Sequence, residues 1–203
     1  MLANVAVLVS GGGTNLQALI DAQNEGRIPS GKLALVVSPN PTAYALERAK
    51  AAGIPAQVVV REKGAPQDFE DALERVFEAH NIDLIVLAGF MTILSGAFTQ
   101  RFCGRIINIH PSLIPAFCGK GYYGLKVHET ALSYGVKVTG ATVHYVNEVP
   151  DGGQILLQKA VPVLEGDTAQ TLQQRVMEQA EWELLPEAVE MVCREILQKG
   201  GEK

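Results

Sequence analysis

Short β-branched apolar runs alternate with longer amphipathic stretches along the first half of the sequence, and this alternation constrains the fold more than any other feature. Residues 4–9, 33–37, 56–60, 84–87 and 105–109 read as strands, being largely apolar and bounded by Gly, Pro or polar clusters. Between them, 15–24, 44–52, 66–79 and 96–102 carry apolar residues at helical spacing, and in the third Phe69, Leu73, Val76 and Phe77 would face a sheet. Strands separated by helices are joined by crossovers, which makes the strands parallel and covers both faces of the sheet. The expected class is therefore α/β, with a doubly wound, mostly parallel sheet. The sequence has 203 residues, 47% of them hydrophobic and 19% charged, enough apolar material for one sizeable core, and no internal repeat or linker interrupts it. A single domain over 1–203 is expected.

After residue 109 the pattern changes. Residues 110–124 hold two prolines and three glycines with little periodicity and read as a loop at the carboxyl end of a strand, where open parallel sheets bind ligands. A short helix over 125–133 comes next. Two apolar-rich segments, 136–146 and 154–163, are joined by Asn-Glu-Val-Pro-Asp-Gly-Gly, a turn-forming connector that makes them a β-hairpin with Asp151 at its tip. The tail over 168–198 reads as a long C-terminal helix with Leu172, Val176, Leu184, Ala188, Met191 and Ile196 as its core stripe, ended or kinked in its first part by Pro186.

Charge narrows the partners. Seventeen Lys and Arg against 22 Asp and Glu leave a net charge of −5, which argues against a nucleic acid held through its phosphates. The longest apolar run, 84–91, is far shorter than the roughly 20 residues that cross a bilayer. The first residues show no signal-type pattern, so no membrane and a cytoplasmic location are expected. Cys103, Cys118 and Cys193 lack CxxC spacing, and His80, His110, His128 and His144 lack HExxH spacing, so neither a disulfide framework nor a metal site is expected.

Three local motifs carry chemistry. Ser10-Gly11-Gly12-Gly13-Thr14-Asn15 lies between the first strand and the first helix, where glycines admit close approach and a helix start offers free N–H groups to a phosphate. The dinucleotide pattern fails, because Leu16 stands where Gly or Ala is needed, and the P-loop Lys-Ser/Thr is missing. A plain glycine turn is the other reading. Asn108-Ile109-His110-Pro111 ends the fifth strand, and alternation puts Asn108 and His110 on one face, able to converge on one atom. Asp151 is a turn aspartate in isolation; with an amide, an imidazole and an anion-ready loop it completes an acyl-transfer constellation without a covalent nucleophile. Ser112 lacks a GxSxG setting and is not expected to be one.

The segments SGGGTNLQALID, LAGFMTILS, INIHPSLIP, TGATVHYVNEVPDGGQILLQ and the GDT-containing C-terminal stretch, in this order along nearly the whole chain, resemble the phosphoribosylglycinamide formyltransferases of purine biosynthesis. The resemblance implies a Rossmann-like formyltransferase fold and transfer of a formyl group from 10-formyltetrahydrofolate, as co-substrate, to the primary amine of 5-phosphoribosylglycinamide. Asn108, His110 and Asp151 would be catalytic, and Gly12, Gly13, Thr14 and Asn15 would cradle the substrate phosphate. Glu181 matches a glutamate that binds the ribose hydroxyls, with one more residue between it and Arg175 than the family pattern has. Phe90, Met91, Thr92, Ile93, Leu94 and Asn108 would face the folate. Many relatives carry a basic residue in place of Thr92, which would meet the folate's glutamate tail. The loop 116–124 is longer than in some relatives and would act as a flap, with Lys120 in solvent or on an anion. The implied partners are the two small molecules, with a monomer or homodimer both open. A 10-formyltetrahydrofolate hydrolase shares the Asn, His and Asp but usually adds an amino-terminal regulatory domain. Methionyl-tRNA formyltransferase adds an RNA-binding domain, and a phosphosugar-binding module would use the glycine loop alone.

Overall fold

The central strands are apolar on both faces because helices cover both, and this is how the chain hides its β-branched runs. In a computed structural model of the chain, described over residues 2–62 and 64–200, seven strands form one sheet among the described residues. They are β1 (Ala3–Leu8), β2 (Gly31–Ser38), β3 (Ala56–Val58), β4 (Leu84–Leu87), β5 (Ile106–His110), β6 (Val138–Tyr145) and β7 (Ile155–Pro162). Their order is β3-β2-β1-β4-β5-β6-β7. The first five pair in parallel, and β6 and β7 add antiparallel, so the expected hairpin extends the sheet at its β5 edge.

The helices are α1 (Thr14–Asn24), α2 (Tyr44–Ala51), α3 (Pro66–Ala79), α4 (Gly96–Arg101), α5 (Leu125–Tyr134), α6 (Ala169–Val176) and α7 (Trp182–Gly200), with a π-helical turn Met177–Glu181 joining the last two. Alternation along β1 splits the core: Val5 and Val7 pack with Leu16 and Leu19 of α1 and Leu185 and Val189 of α7. Ala6 and Leu8 face the other way, onto Phe69, Leu73 and Phe77 of α3 and Phe98 of α4. Val76 is half-buried beside them. Each fully buried side chain of this size contributes about 1.5–3 kcal/mol, so both layers are needed.

The tail differs from expectation in two places. Pro186 does not end the helix; it lies buried inside α7, and a π turn precedes α7. Near a helix start a missing N–H removes only one intrahelical bond, which the chain tolerates. Met191 is half-buried, while Val192 and Cys193 next to it fill the core.

The parallel order also positions the site. β2 leaves β1 on one side and β4 lies on the other, so the carboxyl ends of β1 and β4 open onto the topological switch point, where such sheets bind ligands. The glycine loop succeeds β1 and residues 88–94 succeed β4, and the two are tied by Ser10 N–H to Gly89 O (3.2 Å) and Met91 N–H to Ser10 Oγ (3.0 Å).

Candidate active site

Antiparallel pairing sets the centre of the site. Asn108 of β5 stands opposite His144 of β6, and His110 opposite Thr142, with a register shift between Val143 and His144. Such bulges re-aim side chains. The His144 Nδ1 lies 2.8 Å from the Tyr145 carbonyl, which can only accept, so the proton sits on Nδ1 and Nε2 accepts from the Asn108 amide at 3.1 Å. That fixes which end of the Asn108 side chain donates. The same Nδ2 is 3.4 Å from Asp151 Oδ1.

Asp151 is a turn residue in the left-handed region (φ 57°), but its carboxylate points inward. It accepts from the Gly119 N–H at 2.7 Å and lies 3.5 Å from His110 Nδ1 and 3.6 Å from His144 Nε2. Burial alone would raise its pKa; the neighbouring imidazoles of His144 and His110, in their protonated forms, and the Gly119 amide outweigh this and hold it below the usual carboxylate value. His110 carries the opposite tension. Burial pulls its pKa below the ordinary imidazole value, while Asp151 and the Phe117 carbonyl pull it back part of the way. Its Nε2–H donates to Phe117 O at 2.9 Å, leaving Nδ1 towards the carboxylate, an arrangement that becomes attractive when the ring is protonated. Both ring nitrogens are thus engaged within the protein.

The structure therefore brings Asn108, His110 and Asp151 together and adds His144. It does not leave them equally accessible: Asn108, His144 and Asp151 line a cleft, whereas His110 is 4% exposed under the 116–124 loop. Ser112 is fully buried and donates to Ala116 O at 2.6 Å, a structural hydroxyl. Lys120 is exposed. His128 of α5 is fully buried, and neither ring nitrogen has a hydrogen-bond partner among the described residues. Burial, with His110 nearby, pushes its pKa down to about 4, so it is neutral at physiological pH.

Phe90, Thr92, Ile93 and Leu94 line the cleft opposite Val149 and Pro150. Met91 does not: its backbone turns to Ser10 and its side chain is exposed outside the cleft wall. Phe90 also stacks on Phe69 at 6.5 Å and Leu94 joins the core, so both serve packing as well as the wall.

In the glycine loop only Gly13 is sterically required. It is the left-handed N-cap of α1 (φ 72°), and a Cβ there would sit 2.7 Å from the Ala45 Cβ, while Gly11 and Gly12 have open space around theirs. A glycine N-cap has no side chain to bond the first N–H groups of α1, which stay available to an anion. Thr14 is exposed at this helix start, and the Asn15 side chain turns away to the buried Glu181. Arg48 is a member of this region that sequence reasoning missed: its Nε donates to Gly12 O at 2.9 Å and Nη1 to Gln17 at 2.9 Å, placing a cation behind the loop. Helical position in α2, three dozen residues away, gave no signal of it. His144 and the Gly119 amide were likewise outside the expected constellation.

The formyl transferase family profile matches residues 3–189. The chain is 46% identical over 199 residues to the human trifunctional purine biosynthetic protein adenosine-3, covering 98% of this chain but 19% of that protein, so it spans under a fifth of the length of this relative. It is 45% identical over 186 residues to a phosphoribosylglycinamide formyltransferase of Haemophilus influenzae, covering 91% of this chain and 84% of the relative. The crystal structure of phosphoribosylglycinamide formyltransferase from Brucella melitensis superposes with a TM-score of 0.86 at 42% identity, over 95% of this chain and 96% of that one. Sequence and fold together make this chain a member of the formyl transferase family, within its phosphoribosylglycinamide formyltransferase group.

Proposed function

We propose that the chain, acting as one catalytic unit in the cytoplasm, transfers the formyl group of 10-formyltetrahydrofolate to the primary amine of 5-phosphoribosylglycinamide in purine biosynthesis, without a metal. The observation that carries this reading is the meeting of Asn108, His110 and Asp151 beside an apolar cleft, at the switch point that also holds the uncapped start of α1. The amine attacks the formyl carbon directly. The carbonyl oxygen gathers negative charge, and the Asn108 amide, whose donor end His144 fixes, meets it. His110 joins as the imidazolium once its Nε2–H leaves the Phe117 carbonyl, so the 116–124 segment shifts as substrates enter. Asp151 favours that imidazolium and, through water, helps pass a proton from the amine to the folate nitrogen as the carbon–nitrogen bond to folate breaks. The glycine loop and Thr14 take the phosphate, Glu181 the ribose hydroxyls, and the cleft of Phe90, Thr92, Ile93 and Leu94 the pterin. Thr92 offers no charge to the folate's glutamate tail, so polyglutamylation should matter little for affinity here.

The test is to mix the protein with 10-formyltetrahydrofolate, with and without phosphoribosylglycinamide, and track folate and formylated amine. Turnover that requires the amine is expected; folate release that ignores it makes the chain a hydrolase and overturns the reading. Asn108→Ala should cost about 2.7–4 kcal/mol of barrier, roughly a hundredfold to a thousandfold in kcat, with substrate binding largely kept.

A further inference from the structure

Asn15 stands second in α1, beside the N–H groups that face the anion loop, yet its side chain is spent elsewhere. Its Nδ2 donates to Glu181 Oε2 at 2.7 Å, across 166 positions of sequence, and both residues are more than nine-tenths buried. The amide's other end, Oδ1, is buried without a partner among the described residues. Leaving an acceptor unpaired costs free energy, and a residue whose only purpose was to fill space would not need an amide at all. Glu181 is held from one side only: among the described residues Asn15 is its sole side-chain partner, and it ends the π turn, whose extra residue per turn rotates the face that α7 presents. A carboxylate placed this way has one oxygen committed and one to offer.

We propose that the Asn15 side chain is a positioning residue for Glu181, locking one carboxylate oxygen so that the other meets the vicinal hydroxyls of a phosphorylated pentose whose phosphate rests on the same helix start. This rests on the ribose assignment of Glu181 made above and deepens it. One residue then serves two subsites, its backbone the phosphate and its amide the diol, and their spacing is fixed by a single hydrogen bond. The bond also has a titration signature. Burial raises the pKa of Glu181 and the Asn15 amide lowers it, so removing the amide leaves the carboxyl protonated to higher pH, and a protonated carboxyl loses its acceptor strength for a diol.

The experiment compares kcat/KM for phosphoribosylglycinamide and for its 2′,3′-dideoxy analogue, across pH, in the wild-type enzyme, Asn15→Leu and Asn15→Asp. The wild type should prefer the diol, and Asn15→Leu should cut that preference roughly tenfold, in line with loss of a hydrogen bond to a charged group, with the preference fading at higher pH than in the wild type. Asn15→Asp, nearly isosteric, should slope the other way. At low pH a protonated Asp still donates to Glu181, whereas at high pH two carboxylates repel and the preference is lost. A side chain that only packs would not reverse the slope. If the wild type shows no preference for the diol, the ribose assignment falls and the proposal with it. If the wild type prefers the diol and both variants keep its preference and its pH midpoint, the positioning role alone is overturned.

Discussion

At the residue scale the site is a contest between burial and charge, and it is settled by few atoms. His110 is pulled towards neutrality by burial and towards the imidazolium by Asp151 at 3.5 Å. A reaction that needs the imidazolium runs below the pKa of His110 and fades as pH rises through it. Replacing Asp151 by Asn removes the charge that raises that pKa, so the alkaline limb of the kcat–pH profile should move to lower pH while the maximum rate falls. An unmoved limb would show that Asp151 does not tune His110. Asn108, His110 and Asp151 were legible from motif and alternation because their chemistry is written in residue type. His144, the Phe117 carbonyl and Arg48 were not, because each acts through a contact that only the folded sheet creates. The resemblance implies Met91 as a folate wall; in the fold its N–H is bound to Ser10 Oγ and its side chain is exposed.

At the element scale the strands and helices came from periodicity, since each must bury one face or both. The π turn did not: five residues are too few to show a period, and the proline that drew attention lies beyond it, buried in α7. The start of α1 depends on Gly13 for a reason local sequence cannot show, namely Ala45 of α2 lying against it. Gly13→Ala should therefore lose about 1–2 kcal/mol from the left-handed backbone alone, a Tm lower by roughly 2–8 °C in a domain of this size. It should also raise KM for the phosphorylated substrate, as the loop moves off Ala45. Steady-state kinetics and calorimetry on one sample check both. Asp167 makes the comparable case before α6: Arg175 brackets its carboxylate, with Nη2 at 2.7 Å from Oδ1, and holds its pKa far below the ordinary value. A depressed carboxyl stabilises the fold above its unfolded pKa and loses that contribution as pH falls through the folded one. Acid unfolding of Asp167→Asn should accordingly be less steep below about pH 4 than that of the parent.

At the scale of the whole molecule, the proposed site draws on β4, β5, the β6–β7 turn, α1 and the π turn, so ligand occupancy should stabilise the sheet and both helical layers together. Phosphoribosylglycinamide at a hundred times its Kd should add about 2.7 kcal/mol to unfolding, read as a single shifted calorimetric transition. A shoulder left at the unliganded temperature would mean that part of the sheet unfolds independently of the site. The pairing that sets Asn108 across from His144 has a last consequence, for how the chain can change its length. An added residue in the exposed turn between α5 and β6, around Gly135, is absorbed in an irregular path, but one added within β6 ahead of His144 turns every later side chain to the opposite face and removes the partner of Asn108 at a stroke. Tolerance of insertions should thus drop abruptly between neighbouring stretches of sequence, marking on the linear chain where the ladder begins to dictate chemistry.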